Sequence, residues 1–404
     1  MKYPLDLSAL AYPLMRTRKT QSNFHFSIEL TSPVDPDILT KSLSETLSRY
    51  PVLQTRVAPS FFWHVLKQND APLVVKKDER PPLLPLRDED TNRYPFRLAY
   101  EGNKIVWEVF HAVTDANVGA MFVCDLLTCY AAFLKGESPV LPERDLAVED
   151  AFLRYGKKKR LKDISLKKYN GASVYALGKK GKYRPYPELL SCELPLADIK
   201  AAAKDFGATL TEYIAALYIK AILEGATLPL KKDLCLFIPV DLRRFFPSKT
   251  MQNFVCFERI YLKKGENDIS LPHLIDVVQR EFNERITEKS MQDHVDDVVR
   301  CFTLPPVNRT PLFIKSPCFK LAKAVMNKVR QTAILSNIGT VTLPEQAYDA
   351  VKSVKFFLNI GKNAPVNLAV NTFNDVCHVN VTNDLTDQLI PARFFALLQS
   401  QGKK

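Results

Sequence analysis

Two side chains four residues apart could do chemistry: His111 and Asp115, in the run His111-Ala-Val-Thr-Asp115. An imidazole titrates near neutrality and can take a proton from an incoming hydroxyl or amine. A carboxylate four residues on can cap the first turn of a helix or reach an arginine elsewhere in the fold. A plainer reading stands beside this one, since a histidine at the end of a buried strand is often a satisfied core residue. The flanking elements say where the pair sits. Ile105 to Phe110 has the apolar and aromatic character of a strand, with Val, Trp and Phe around the single acid Glu108. Val118, Met121, Phe122, Leu126 and Tyr130 then recur at three- and four-residue steps, which predicts a helix. The pair therefore falls in a short strand-to-helix connection, where function tends to be placed.

Composition narrows the possibilities. A chain of 404 residues with 46% hydrophobic content is globular and long enough for two cores. No apolar run reaches the length expected of a transmembrane span. The opening MKYPLDLSAL lacks the apolar region of a secretory signal, so a cytoplasmic location is expected. The cysteines (Cys124, Cys129, Cys192, Cys235, Cys256, Cys301, Cys318 and Cys377) are scattered singly, with no CxxC pair. They read as reduced core thiols, neither a disulfide framework nor a zinc site, and no metal is expected. The net charge of +12 is concentrated between Lys157 and Arg184, where eleven Lys or Arg meet one acid, Asp163. That run is either a solvated connector or an attraction for anions: a phosphate-bearing cofactor, an acidic carrier protein or lipid headgroups. No nucleic-acid motif accompanies it.

Along the chain, Asn23 to Leu30 alternates like a strand with one buried face. Asp35-Pro36 opens a helix that ends at Tyr50-Pro51. Val52 to Val57 and Phe61 to Val65 read as a hairpin, and residues 67–103 as irregular loops with short edge strands. Gly136 ends the central helix. The basic segment looks like a crossover into a second half. There, Leu189 to Leu194 reads as a strand, Thr209-Leu-Thr-Glu212 as a capping box, and Leu234 to Val240 and Asn253 to Tyr261 as strands. Pro272 to Glu288 is an amphipathic helix, and two antiparallel strands flank the turn Asn374-Asp375. Strands and helices mix without a βαβ rhythm, which favours α+β layers.

Four features then fall into order: Arg49-Tyr-Pro-Val-Leu53; His111-Ala-Val-Thr-Asp115; Pro239-Val-Asp-Leu-Arg243 with Asn253-Phe254 after it; and Ser336-Asn337-Ile338-Gly339. Together they resemble the chloramphenicol-acetyltransferase-like superfamily, which includes alcohol acetyltransferases, polyketide-associated acyltransferases, plant BAHD acyltransferases and condensation domains. The resemblance covers nearly the whole chain. It implies two subdomains of similar fold, each a mixed sheet with flanking helices, over residues 1–155 and 189–404 with the crossover 156–188 between them. A channel with the histidine at its middle would admit an acyl thioester, on coenzyme A or a carrier-protein phosphopantetheine, and an alcohol or amine acceptor. The sequence departs from the pattern where Phe110 replaces the first of the paired condensation-domain histidines, where Ala116 replaces Gly, and where Lys355-Phe-Phe-Leu-Asn359 stands in place of the BAHD DFGWG loop.

On this resemblance His111 is the general base of an acyltransferase, with an alcohol acceptor and acyl-CoA donor in the leading reading. Arg243 would form an ion pair with Asp115, although a simple helix cap explains Asp115 equally from sequence alone. Ser336 and Asn337 are nominated for the oxyanion, against a reading as a strand-end turn that satisfies its own backbone. Asn253 would line the channel. His25, His273, His294 and His378 read as surface or packing residues, and His64 as structural. The alternatives are a condensation-type N-acyltransferase served by a carrier protein, a non-catalytic carrier- or acyl-binding homologue, and an anion- or membrane-surface-binding protein that uses the basic crossover.

Overall fold

In a computed structural model the described residues are 1–16, 22–157, 173–177, 183–325, 331–361 and 364–401. Most of the basic run, 158–172 and 178–182, lies outside them. The chain forms two lobes of mixed sheets with flanking helices, each around its own core.

The lobe that bears His111 is built on a five-stranded sheet ordered Val351–Phe357, Asn23–Leu30, Lys104–Phe110, Phe96–Glu101 and Val75–Lys77. All neighbours are antiparallel except the last pair. Its edge strand Val351–Phe357 comes from the span 189–404. The second lobe has a six-stranded sheet ordered Val255–Leu262, Leu234–Asp241, Ala333–Thr340, Val366–Phe373, Val376–Leu385 and Tyr183–Pro195. Ala333–Thr340 runs parallel to both neighbours, and the other pairs are antiparallel. A small third sheet joins Lys2–Pro4, His64–Gln68 and Thr55–Pro59.

Local chemistry accounts for most element ends. Asp35 accepts from the Asp37 and Ile38 amides, with Pro36 at the first turn of Pro36–Leu47. Thr209 and Glu212 make the reciprocal capping box of Leu210–Leu223, the buried spine of the second lobe. Asn374 and Asp375 both take positive φ, 47° and 58°, as a two-residue hairpin turn requires.

Three elements differ from the sequence expectation. Phe96–Glu101 is an interior strand and not an edge or loop: its Arg97 is buried against two carboxylates, which the charged local sequence disguised. The helix expected to reach Glu288 ends at Arg285, and a second one, Glu288–Thr303, follows with Met291, Val295 and Val299 inward. By length and composition the helix Ala116–Leu134 could cross a membrane, contrary to the expectation of no such run, yet most of it is buried. It packs on the sheet through Phe122 stacked on Trp107 at 4.6 Å. Gly119 permits the approach, because a Cβ there would lie 2.9 Å from the Phe24 ring. Its one acid, Asp125, is satisfied by Arg144, Arg49 and the Tyr50 hydroxyl. Six cysteines are buried, but Cys301 and Cys318 are exposed and are not core thiols.

Glu108, the lone acid of the central strand, sits opposite both His25 and Arg97 in register. His25 Nδ1 lies 3.1 Å from its carboxylate, Arg97 Nε donates at 3.2 Å, and the Leu83 amide donates at 2.6 Å. Burial pushes this carboxyl up, but the His25 bond and the Arg97 charge outweigh it and bring it from 4.5 down to about 2. The contribution is therefore full above pH 4.5 and is lost as pH falls toward 2. We expect the parent to lose about 3 kcal/mol more than Glu108→Gln across that window in chemical denaturation. Parallel acid limbs for the two proteins would rule this out.

Candidate active site

His111 follows the last residue of Lys104–Phe110, and its amide donates to the Ser22 carbonyl at 2.8 Å. The imidazole is half-buried between two rings. Tyr12 stacks on it at 5.2 Å, and Phe24 meets it edge-on at 5.3 Å. Its Nδ1 lies 2.7 Å from Asn253 Oδ1. With that nitrogen engaged, Nε2 is the ring atom left for chemistry.

Asp115 is 1% exposed and does two jobs at once. One oxygen caps Ala116–Leu134 by accepting from the Val118 amide at 3.2 Å. The other accepts from Arg243 Nη1 at 2.8 Å and from the Phe254 amide at 3.1 Å. The cap and the ion pair, which looked like alternatives, coexist because a carboxylate has two oxygens to offer. Arg243 also donates to Asp241 and to the Thr250 and Gln252 carbonyls. Burial lowers the Arg243 pKa, but Asp115 and Asp241 more than restore it, so the guanidinium stays charged. Burial conversely raises the Asp241 carboxyl, against the pull of Arg243.

His111, Asp115 and Asp241 border a cavity of about 290 Å³ between the lobes. His111, Tyr12 and Phe24 line it from one lobe, and Val255, Phe257 and Ile334 from the other. Ser336 and Asn337 also reach it, but within the strand Ala333–Thr340 and not on a strand-end turn. Ser336 is buried to 6% exposure. The Asn337 side chain donates to Thr211 Oγ1 at 3.0 Å and accepts from the Gly339 amide at 2.9 Å. That leaves Ser336 as the hydroxyl of the segment facing the cavity.

Asn253 is placed differently from the sequence expectation. It is 1% exposed and is not among the cavity-lining residues. It stands behind His111, held by Asp6. Asp6 and Tyr12 are the site residues that the sequence did not disclose. Asp6 is a single acid among Leu5, Leu7 and Leu10, and no period or motif distinguishes it from a surface residue. It is fully buried. Burial pushes its carboxyl up to about 6, although hydrogen bonds from Ser8 and Asn253 pull the other way.

Of the remaining histidines, His25 bonds Glu108 in the core, and His378 is buried, with burial lowering its pKa to about 4. Away from the cavity, the ligand atoms of Cys256, Glu258 and His294 lie within 4.8 Å of one another, the one such grouping among the described residues. None of the three lines the cavity.

No protein-family model and no curated protein matches the sequence. Solved structures do match over its whole length. The trichothecene 15-O-acetyltransferase of Fusarium sporotrichioides superposes with a TM-score of 0.67 at 11% identity, covering 99% of this chain and 94% of that one. The first condensation domain of the calcium-dependent antibiotic synthetase, in complex with a substrate analogue, gives 0.66 at 14% identity, covering 100% and 96%. The starter condensation domain of rhizomide synthetase, solved as a mutant with C8-CoA, gives 0.65 at 13% identity, covering 100% and 94%.

Proposed function

From the chloramphenicol-acetyltransferase-like fold that this chain shares with condensation domains and an acetyltransferase, we propose that it moves an acyl group from an acyl thioester to an alcohol, with His111 as general base. The observation that carries this reading is the His111 ring at the wall of an inter-lobe cavity, with Nδ1 tied back to Asn253. An alcohol bound there gives its proton to Nε2 as its oxygen attacks the thioester carbonyl carbon. The carbonyl π pair moves onto oxygen, and the Ser336 hydroxyl is the nominated donor to that oxyanion. When the carbonyl re-forms, the C–S bond breaks and the imidazolium returns its proton to the departing thiolate. The products are an ester and a free thiol, so the thioester supplies the driving force.

Coenzyme A is the proposed donor carrier, supported by the C8-CoA bound to a similarly folded condensation domain. The apolar residues Phe24, Val255, Phe257, Ile334 and Phe356 offer contact to an acyl chain. The second reading is amide formation on a carrier-protein thioester, supported by the condensation domains among the similar folds. Phe110, standing where those domains usually repeat histidine, weighs against it. The deciding assay follows thiol release from a panel of acyl-CoAs with alcohols and with amines. Alcohol-dependent release with ester formed supports the proposal. Release with amines alone transfers the assignment to amide formation, and no release with any pair overturns the acyl-CoA reading.

A further inference from the structure

The Asp6 carboxylate accepts four hydrogen bonds: from the Ser8 hydroxyl at 2.6 Å, the Ala9 amide at 3.0 Å, the Asn253 amide at 3.2 Å and Asn253 Nδ2 at 3.1 Å. An ionised carboxylate only accepts, so every donor around it must point inward. This decides which way the Asn253 side chain faces. Turned over, its carbonyl oxygen would lie against a carboxylate oxygen, a repulsion inside a buried site. With Nδ2 committed to Asp6, Oδ1 is presented to His111 Nδ1 at 2.7 Å. An amide oxygen cannot donate, so the hydrogen in that contact belongs to His111 Nδ1. The lone pair is then on Nε2.

We propose that Asp6 is a positioning residue that acts through Asn253 to hold His111 in the tautomer with hydrogen on Nδ1 and a basic Nε2. The acid is local to neither residue: it is 105 positions from His111 and 247 from Asn253, and the opening segment delivers it to the site. Leu5, Leu7, Ala9 and Leu10 anchor that segment in the core of the His111 lobe. The Pro4 carbonyl accepts from Gln252 Nε2 at 2.9 Å, and the Leu7 amide donates to Asp150 at 2.9 Å. Tyr12, from the same segment, covers one face of the imidazole and limits its rotation. The opening residues thus supply both the ring's back support and the polarity of the chain behind it.

The inference rests on the reading of His111 as a base, but its test can be made apart from turnover. Selective 15N labelling of histidine in the full-length protein, with His111 assigned by comparison with a His111 variant, reports which ring nitrogen bears hydrogen. The parent should show a protonated Nδ1 and a bare Nε2. Asp6→Asn keeps the shape but can donate or accept, so Asn253 becomes free to turn and the spectrum should shift to mixed tautomers. In the acyl-transfer assay the same change should lower kcat at least tenfold with KM little altered. A parent whose Nε2 bears the hydrogen overturns the proposal outright, whether or not Asp6→Asn folds. An Asp6→Asn spectrum identical to the parent's overturns it as well. If the tautomer is as stated while no thioester is turned over, the positioning chain stands and the acyltransferase reading falls.

Discussion

His111→Ala is expected to lower thioester-dependent acyl transfer by roughly 10²–10⁴-fold, the range that a positioned general base supplies. The fold should survive. The ring is half-buried, and among the described residues its one side-chain hydrogen bond is to Asn253, whose other bonds to Asp6 remain. Losing the stack with Tyr12 and the edge contact with Phe24 costs some packing, on the order of 1–2 kcal/mol. The informative measurement is thiol release beside a denaturation curve. A variant with near-parental turnover removes His111 from the mechanism. Loss of both activity and cooperative unfolding would make it a packing residue.

The second large effect is on stability. Arg243→Ala should cost about 3–5 kcal/mol, because it strands a buried carboxylate and does not merely delete an attraction. Asp115 is 1% exposed and would keep only the Val118 and Phe254 amides. The Thr250 and Gln252 carbonyls would each lose a charged donor as well. Arg243→Lys should recover only part of the loss, since a single ammonium cannot span two carboxylates and two carbonyls set around a planar fork. Urea denaturation of the two variants checks both points. A cost for Arg243→Ala below about 1 kcal/mol would show that the clamp contributes little. Because Arg243 ties the turn after His111 to the 250–254 segment that bears Asn253, a loosened clamp should also reduce turnover before global unfolding.

The basic run between Lys157 and Arg184 shows the limit of composition as a guide. Its charge identifies anions as partners for one reading, but most of it lies outside the described residues, and none of the described residues within 157–184 lines the cavity. Ser336-Asn337 shows a different limit. Gly339 at a φ of 74° and the Asn337–Gly339 bond produce the turn-like signature, yet both belong to an irregular strand paired on both sides.

What the sequence determined by itself is what neighbouring residues can settle. The alternation of Asn23–Leu30, the helical stripe after Asp115, the Thr209–Glu212 box and the Asn374-Asp375 turn each involve bonds or faces within a few positions, and so leave a local pattern. The tertiary structure alone decided which distant groups share one buried volume. Arg243 reaches Asp115 across 128 positions and Asp6 reaches Asn253 across 247. Nothing periodic encodes such meetings. A lone aspartate among leucines becomes a support for the imidazole only because burial removes water, and the carboxylate must then take its hydrogen bonds from whatever donors the fold has brought alongside.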